Sequence, residues 1–359
     1  MVNHGFHGYI LMIADSKQAK GMSHKREHFQ IPSPLFQRGD TGGIRALSHK
    51  RLTRMYSAVF SAFCFLLSAF CGEVCGESGF QKVRFARGDV NGDGIVEVIA
   101  GGRVGEPVSV DVPRGGRYAG IGVYRANGSL LEPLGVRNDL QVVHDVAVGD
   151  LDGDRRAEVL TVGMGRLTVF GWAEDGLTEK ARVSLGGFWT DRVAAGDVDG
   201  DGRAEIAVTI YRVGVDAEIG HTRVVIYRWA GNRLVEDRNW MMRLHVGDIT
   251  FASDGWIVEV GAGEESGELQ GLNAEGWPRW QVSAAGRPRA LSLDVLDDRL
   301  AVGRVDGSLS VYGLMTGQPQ EVFSGRVPFL TGLLLVPGDN SQVDLMIGTH
   351  NAGILRVGF

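Results

Sequence analysis

The sequence predicts an all-β fold, a β-propeller of six four-stranded antiparallel blades, on three observations. Glycine supplies 53 of the 359 residues against 10 prolines, about twice its ordinary share and without a collagen period, which suits many tight turns between short strands. Three segments repeat: GDVNGDGIVEVIA at 88–100, GDLDGDRRAEVLT at 149–161 and GDVDGDGRAEIAV at 196–208. Fainter copies continue to the C-terminus, and repeats of about 40–60 residues with room for four short strands each are a propeller pattern. Seven blades is the nearest alternative count, and a solenoid the competing repeat fold.

Residues 1–54 come first. They hold nine Lys/Arg, three acids and five of the nine histidines, with no sustained hydrophobic period, and read as a disordered leader or an over-extended reading frame with translation starting at Met55. Met55–Cys71 (MYSAVFSAFCFLLSAFC) then carries no charge behind a basic flank of Lys50, Arg51 and Arg54. This pattern resembles a secretory signal peptide, with small residues suited to cleavage at 69–71 or 74–76. Residues 55–76 are therefore expected to be a signal peptide or an N-terminal anchor, placing the protein in the periplasm, at the cell surface or outside the cell. A membrane contact is expected only through this segment if it stays uncleaved. Cys64, Cys71 and Cys75 all lie in or just after it, so the body at 77–359 has neither a disulfide nor a thiolate metal site.

The first aspartates of the repeated segments, Asp89, Asp150 and Asp197, are spaced by 61 and 47 residues. Each follows a strand-like run (VRFARGD, HDVAVGD, DRVAAGD) and precedes another. Second strands ending in aromatics follow (IGVYRANG, LTVFGWAEDG, VVIYRWAGN), and ARVSL and RLVED read as outer strands. Leu244–Asp248, Ala290–Asp294 and Gly332–Val336 open three further blades. The last has about three strands, so a segment near Glu77–Gln81 is expected to complete it and close the ring.

The repeated loops read D-x-[DN]-x-D-x-x-x-E. Acids at alternate positions of a tight loop converge on one point, and a hard cation such as calcium takes six to eight oxygens. The expected ligands are Asp89, Asn91, Asp93, the Ile95 carbonyl and Glu97 in the first loop. In the second they are Asp150, Asp152, Asp154, the Arg156 carbonyl and Glu158, and in the third Asp197, Asp199, Asp201, the Arg203 carbonyl and Glu205. About three Ca²⁺ sites follow. Gly94 and Gly202 stand where the loop turns sharply, whereas the second loop has Arg155 there. An EF-hand is excluded because position 12 is Ala100, Thr161 or Val208 and the following residues read as strand. Asp248, aligned with the loop aspartates, has no following acids and is expected to be metal-free.

These motifs look like the FG-GAP/VCBS repeat family, related to the blades of integrin α-chain propellers. The resemblance is strong over about 80–210 and rests on period alone over 211–359. It implies calcium loops at one end of a propeller and an extracellular adhesion or ligand-binding module; some family members accompany carbohydrate-active enzymes. The chain departs from the family in having Glu at position 9 and Arg155 in place of glycine.

A second pattern stands five residues before the aligned aspartates: Arg84, Asp145, Arg192, Arg243 and Arg289. Trp189 and Trp240 precede two of the arginines by three residues. Arginine forks match carboxylates and flat aromatics stack on sugars, so this rim is a candidate site for an acidic carbohydrate or a protein ligand. The competing reading pairs the arginines with acids of neighbouring blades, such as Asp145 and Asp191, and gives the tryptophans to the core.

No nucleophile elbow, phosphate loop, HExxH or dinucleotide fingerprint is present. The expected function is a non-catalytic calcium-binding module for ligand binding, adhesion or scaffolding. Alternatives are a polysaccharide lyase or hydrolase using the rim, and a cell-envelope assembly scaffold. The leader carries +6 and Glu73 is the one charge of the apolar segment, so within the chain's net −6 the body holds −11, with eleven carboxylates in the three loops. That balance excludes a nucleic-acid binder working by bulk charge.

Overall fold

The computed structural model describes residues 74–77, 80–104, 119–127, 130–140, 142–174, 176–186, 189–211, 221–253, 255–261, 267–284, 290–314, 318–338, 343–349 and 353–358. The leader, most of the export segment and Arg289 lie outside them. Among the described residues the chain forms 24 strands and no helix.

β1 (Val74–Glu77) stands apart from the first blade, which is β2 (Phe80–Gly88), β3 (Glu97–Val104), β4 (Ala119–Asn127) and β5 (Leu130–Leu140). The second blade is β6 (Asp145–Gly149), β7 (Glu158–Gly163), β8 (Arg166–Ala173) and β9 (Gly176–Ser184). The third is β10 (Trp189–Gly196), β11 (Glu205–Tyr211), β12 (Thr222–Ala230) and β13 (Arg233–Met242). The fourth is β14 (His245–Ala252), β15 (Gly255–Gly261), β16 (Gly267–Leu272) and β17 (Pro278–Ala284). The fifth is β18 (Ala290–Leu296), β19 (Arg299–Arg304), β20 (Ser308–Gly313) and β21 (Gln320–Arg326). The sixth is β22 (Leu330–Pro337), β23 (Val343–Thr349) and β24 (Gly353–Gly358), completed by β1 on the outer edge of β24.

Six antiparallel four-stranded sheets result, as predicted. The closing strand lies slightly upstream of its expected place. Val74–Glu77 pairs with β24, while Phe80 and Gln81 pair with Val104 and Arg103 inside the first blade. β2 needs its full nine residues to match β3, so only the residues ahead of it are available for closure. The propeller thus begins at Val74, inside the span read as export segment.

Each innermost strand packs on that of the next blade, and β22 packs on β2, completing the ring. Strand β7 is buried at all six positions, because a neighbouring blade covers each face of its sheet, whereas outer strand β9 is half-buried or exposed along its whole length. The core is accordingly divided into six apolar clusters, one at each blade–blade boundary; Leu160, Leu167 and Val169 meet Val193, Ile206 and Val225, for example. The glycine of each GD pair sits where blades approach most closely. A Cβ on Gly149 would fall 2.7 Å from Ala204 Cβ, and one on Gly196 would fall 2.0 Å from Phe251 Cγ.

Candidate metal loops and the central channel

The three acidic loops connect the first and second strands of the first three blades, all at one end of the propeller. Their internal bonding repeats. The first aspartate accepts two backbone N–H bonds: Asp89 from Gly92 and Gly94 (2.7 and 2.9 Å), Asp150 from Gly153 and Arg155 (both 2.8 Å), Asp197 from Gly200 and Gly202 (2.8 and 2.9 Å). The fifth-position acids Asp93, Asp154 and Asp201 accept from the N–H of Ile95, Arg156 and Arg203. The closing glutamates reach back to the residue after the first aspartate. Val90 donates to Glu97 at 3.1 Å, Leu151 to Glu158 at 2.9 Å and Val198 to Glu205 at 2.9 Å.

Carboxylate oxygens of Asp150, Asp152 and Glu158 lie within 4.8 Å of one another, and so do those of Asp197, Asp199 and Glu205. All are hard oxygen donors from acids at positions 1, 3 and 9, so the donor chemistry of both groups fits calcium. Asp154 and Asp201 stand outside these close groups. The first loop, with Asn91 at position 3, forms no such group of acids.

Glu97, Glu158 and Glu205 are buried. Burial pushes the Glu158 carboxyl up, opposed by its bond from Lys180. Burial likewise raises Glu205, and the charges of Asp199, Asp201 and Asp197 raise it further. Bringing these acids together therefore costs free energy that a cation offsets.

The loops also nest. Ala157 N–H donates to the Asp89 carbonyl at 2.8 Å, and Ala204 N–H to the Asp150 carbonyl at 2.7 Å, so each loop leans on the one before it. The Arg156 side chain lies across Gly92, where a Cβ would fall 2.8 Å from Arg156 Cγ. Gly94 and Gly202 have φ of 82° and 85°, and Arg155 is held at 71° in the equivalent place, so the loop keeps its turn there without glycine.

The proposed ligand rim does not assemble as a surface. Arg84 and Arg192 are buried within the central channel. Arg84 donates to the Leu291 carbonyl; Arg192 Nε donates to the Gly247 carbonyl at 2.7 Å and lies 3.2 Å from Asp248 Oδ1. Arg243 is exposed, and Trp240 is half-buried against the core between the third and fourth blades. Trp189 opens β10, pairing with Tyr211. The reading in which arginines pair with neighbouring acids holds for Arg192, with Asp248 as partner.

Register explains the difference. Arg84, Asp145 and Arg192 pair with Gly101, Val162 and Thr209, and the fourth-blade residue in that place is Asp248, opposite Glu259. Asp248 is therefore a channel residue and no counterpart of the loop aspartates. Around the first four blades the channel reads Arg, Asp, Arg, Asp.

Side-chain acceptors here tie each blade to the next. Asp145 accepts from Val193 N–H at 3.1 Å, Asp248 from Leu293 N–H at 2.6 Å and Asp294 from Leu335 N–H at 2.7 Å. Arg87 bonds Asp294 at 2.6 Å. Burial, then the charge of Asp248, pushes Asp145 up to about 6, although Arg84 and Arg192 pull it down. Burial raises Asp248 and Asp294 as well. The channel holds a cavity of about 200 Å³ lined by the innermost strands of the first five blades. His144 Nδ1 lies 2.9 Å from the Thr190 carbonyl, a further tie between the second and third blades.

Residues 150–208, from the second loop through the third, match the family model described as FG-GAP-like repeat. A search of curated proteins finds no match. Similar solved structures include BBS1N in complex with ARL6DN, soaked with lead, at 13% identity over 78% of this chain and 80% of that one, with a TM-score of 0.49. Sqt1 of Saccharomyces cerevisiae shows 10% identity over 73% and 69%, with a TM-score of 0.45. Sqt1 of Chaetomium thermophilum shows 11% over 79% and 86%, with a TM-score of 0.48. The chain is a six-bladed β-propeller whose second and third blades carry an FG-GAP-like repeat.

Proposed function

We propose that the protein is an exported, calcium-stabilised propeller acting as a non-catalytic binding or adhesion module. The recurrence of one loop design carries the calcium reading: three times the loop folds back on a buried glutamate, and in the second and third loops alternate acids converge beside it. The basic flank and apolar run at 50–71 support export.

A protein partner fits the surface better than an acidic carbohydrate, because Arg84 and Arg192 are spent inside the channel. At the end opposite the metal loops, the short connections expose Met164, Leu244, Val305 and Phe329, and the end of β13 exposes Met241. Met164 and Phe329 do so at φ of 48° and 60°, a costly backbone for a non-glycine residue.

Calorimetric titration of Ca²⁺ into the chelator-treated protein, with thermal melting alongside, tests the calcium reading. Calcium at 100 times its dissociation constant stabilises by about 2.7 kcal/mol per site, so a clear rise in Tm is expected. No heat and no shift would overturn it.

A further inference from the structure

The three loops differ in one respect that their sequences conceal. In the first, Arg125 from β4 reaches into the loop, pairing with Asp93 and lying 3.1 Å from Glu97 Oε1. In the second, Lys180 from β9 bridges Asp152 and Glu158 at 3.1 and 2.6 Å. Among the described residues, no basic side chain contacts Asp197, Asp199, Asp201 or Glu205.

Two neighbouring positions decide this, one on the third strand of the blade and one on the fourth. Strand register makes Arg125, Gly171 and Arg228 equivalent, and likewise Leu134, Lys180 and Asp237. The first blade puts a base on the third strand beside Leu134. The second puts it on the fourth strand and has glycine opposite, and that glycine matters: a Cβ on Gly171 would fall 2.8 Å from Lys180 Cε. The third blade has a base at one position and an acid at the other, and they pair with each other, with Arg228 Nε 3.3 Å from Asp237 Oδ1, while Arg238 holds the other oxygen of Asp237 at 2.8 Å. Arg228 thus pairs with Asp237 and not with the acids of the third loop.

We propose that Arg125 and Lys180 are built-in counter-cations that partly neutralise the first two loops without metal, leaving the third loop as the preferred divalent-cation site. This rests on the calcium reading above and orders its sites. A metal entering loop one or two must displace an ion pair already formed with a buried glutamate, whereas in loop three it meets the converging carboxylates of Asp197, Asp199 and Glu205 with no basic side chain upon them. The first two loops keep their shape when calcium is scarce; the third depends on it.

Calcium titration of the full chain beside Lys180→Met, Arg125→Met and Asp199→Asn variants tests this. The unaltered protein should show one tight site and two at least about tenfold weaker, a modest part of the attraction between unit charges near a protein surface. Lys180→Met should tighten one weak site by about tenfold, Arg125→Met the other, and Asp199→Asn should abolish the tight one. In chelator, the Lys180→Met and Arg125→Met proteins should melt lower than the unaltered one and recover with calcium. Three equivalent sites, or unchanged weak sites in both methionine variants, would overturn the ordering while leaving calcium binding intact. Absence of calcium binding in every protein would overturn the calcium reading itself.

Discussion

Arg192 Nε lies 3.2 Å from Asp248 Oδ1 across the boundary between the third and fourth blades, with both side chains at or below 10% exposure. An arginine spent on a buried partner cannot also grip a ligand. Arg192→Ala is expected to destabilise by about 3 kcal/mol, because it strips a buried carboxylate of its nearest cation. Arg192→Ala combined with Asp248→Asn should cost less than the two single changes together, a non-additivity that urea unfolding of all three variants would read.

Asp145 gives the channel a pH dependence of definite sign. Its folded value of about 6 lies above the ordinary 3.9 or so of an unfolded aspartate, so the folded state holds the proton more tightly. The associated stability is fully present below about pH 4 and is lost as pH rises through 6. In chelator the protein should therefore gain about 1.3 kcal/mol from Asp145 on going from pH 7 to pH 5. The raised Glu158 and Glu205 act in the same direction. Asp93 and Asp306 are held below their usual value and lose their contribution only at lower pH, outside this window. Asp145→Asn should flatten the profile, and a Tm that falls between pH 7 and 5 would contradict it.

Arg155→Gly should stabilise the second loop. A non-glycine residue in the left-handed region costs about 1–2 kcal/mol, and Arg155 sits there at 71° where its counterparts are glycine. A Tm rise in the absence of calcium is the expected result. An unchanged Tm would mean that the arginine side chain recovers that cost through contacts of its own.

Gly149→Ala should do the reverse. The new Cβ would meet the Cβ atoms of Ala204 and Ala195 at 2.7 and 2.9 Å, and neither can swing aside because both are fixed to backbone. A loss of about 1–3 kcal/mol is expected, from overpacking between the second and third blades.

The loops were readable because every ligand lies within nine residues and alternation alone brings the acids together. The blade count was readable because turns and apolar runs recur locally. The channel was not. LHVGD imitates the GD pair of the first three blades, but the fourth-blade hairpin is tight, with Ala252 opposite Gly255, so Asp248 falls five residues deeper into its strand than the imitation suggests. Arg243, placed by that same alignment, lies on the exposed connection before β14. Arg125 and Lys180 were equally hidden, since each serves a loop 22 to 32 residues away and only strand register shows that they occupy adjacent places.

The pairing of β1 with β24 has a mechanical meaning. Any pull on residues upstream of Val74 is delivered to the short strand that seals the ring, a pairing recorded at three register positions: Val74 with Leu355, Gly76 with Ile354 and Glu77 with Gly353. Tension there peels the seam before it loads any blade interior, so a tether on that side would act as a fuse for the whole propeller. A cut after Gly76 would remove most of the sealing strand, whereas a cut ahead of Val74 would spare it.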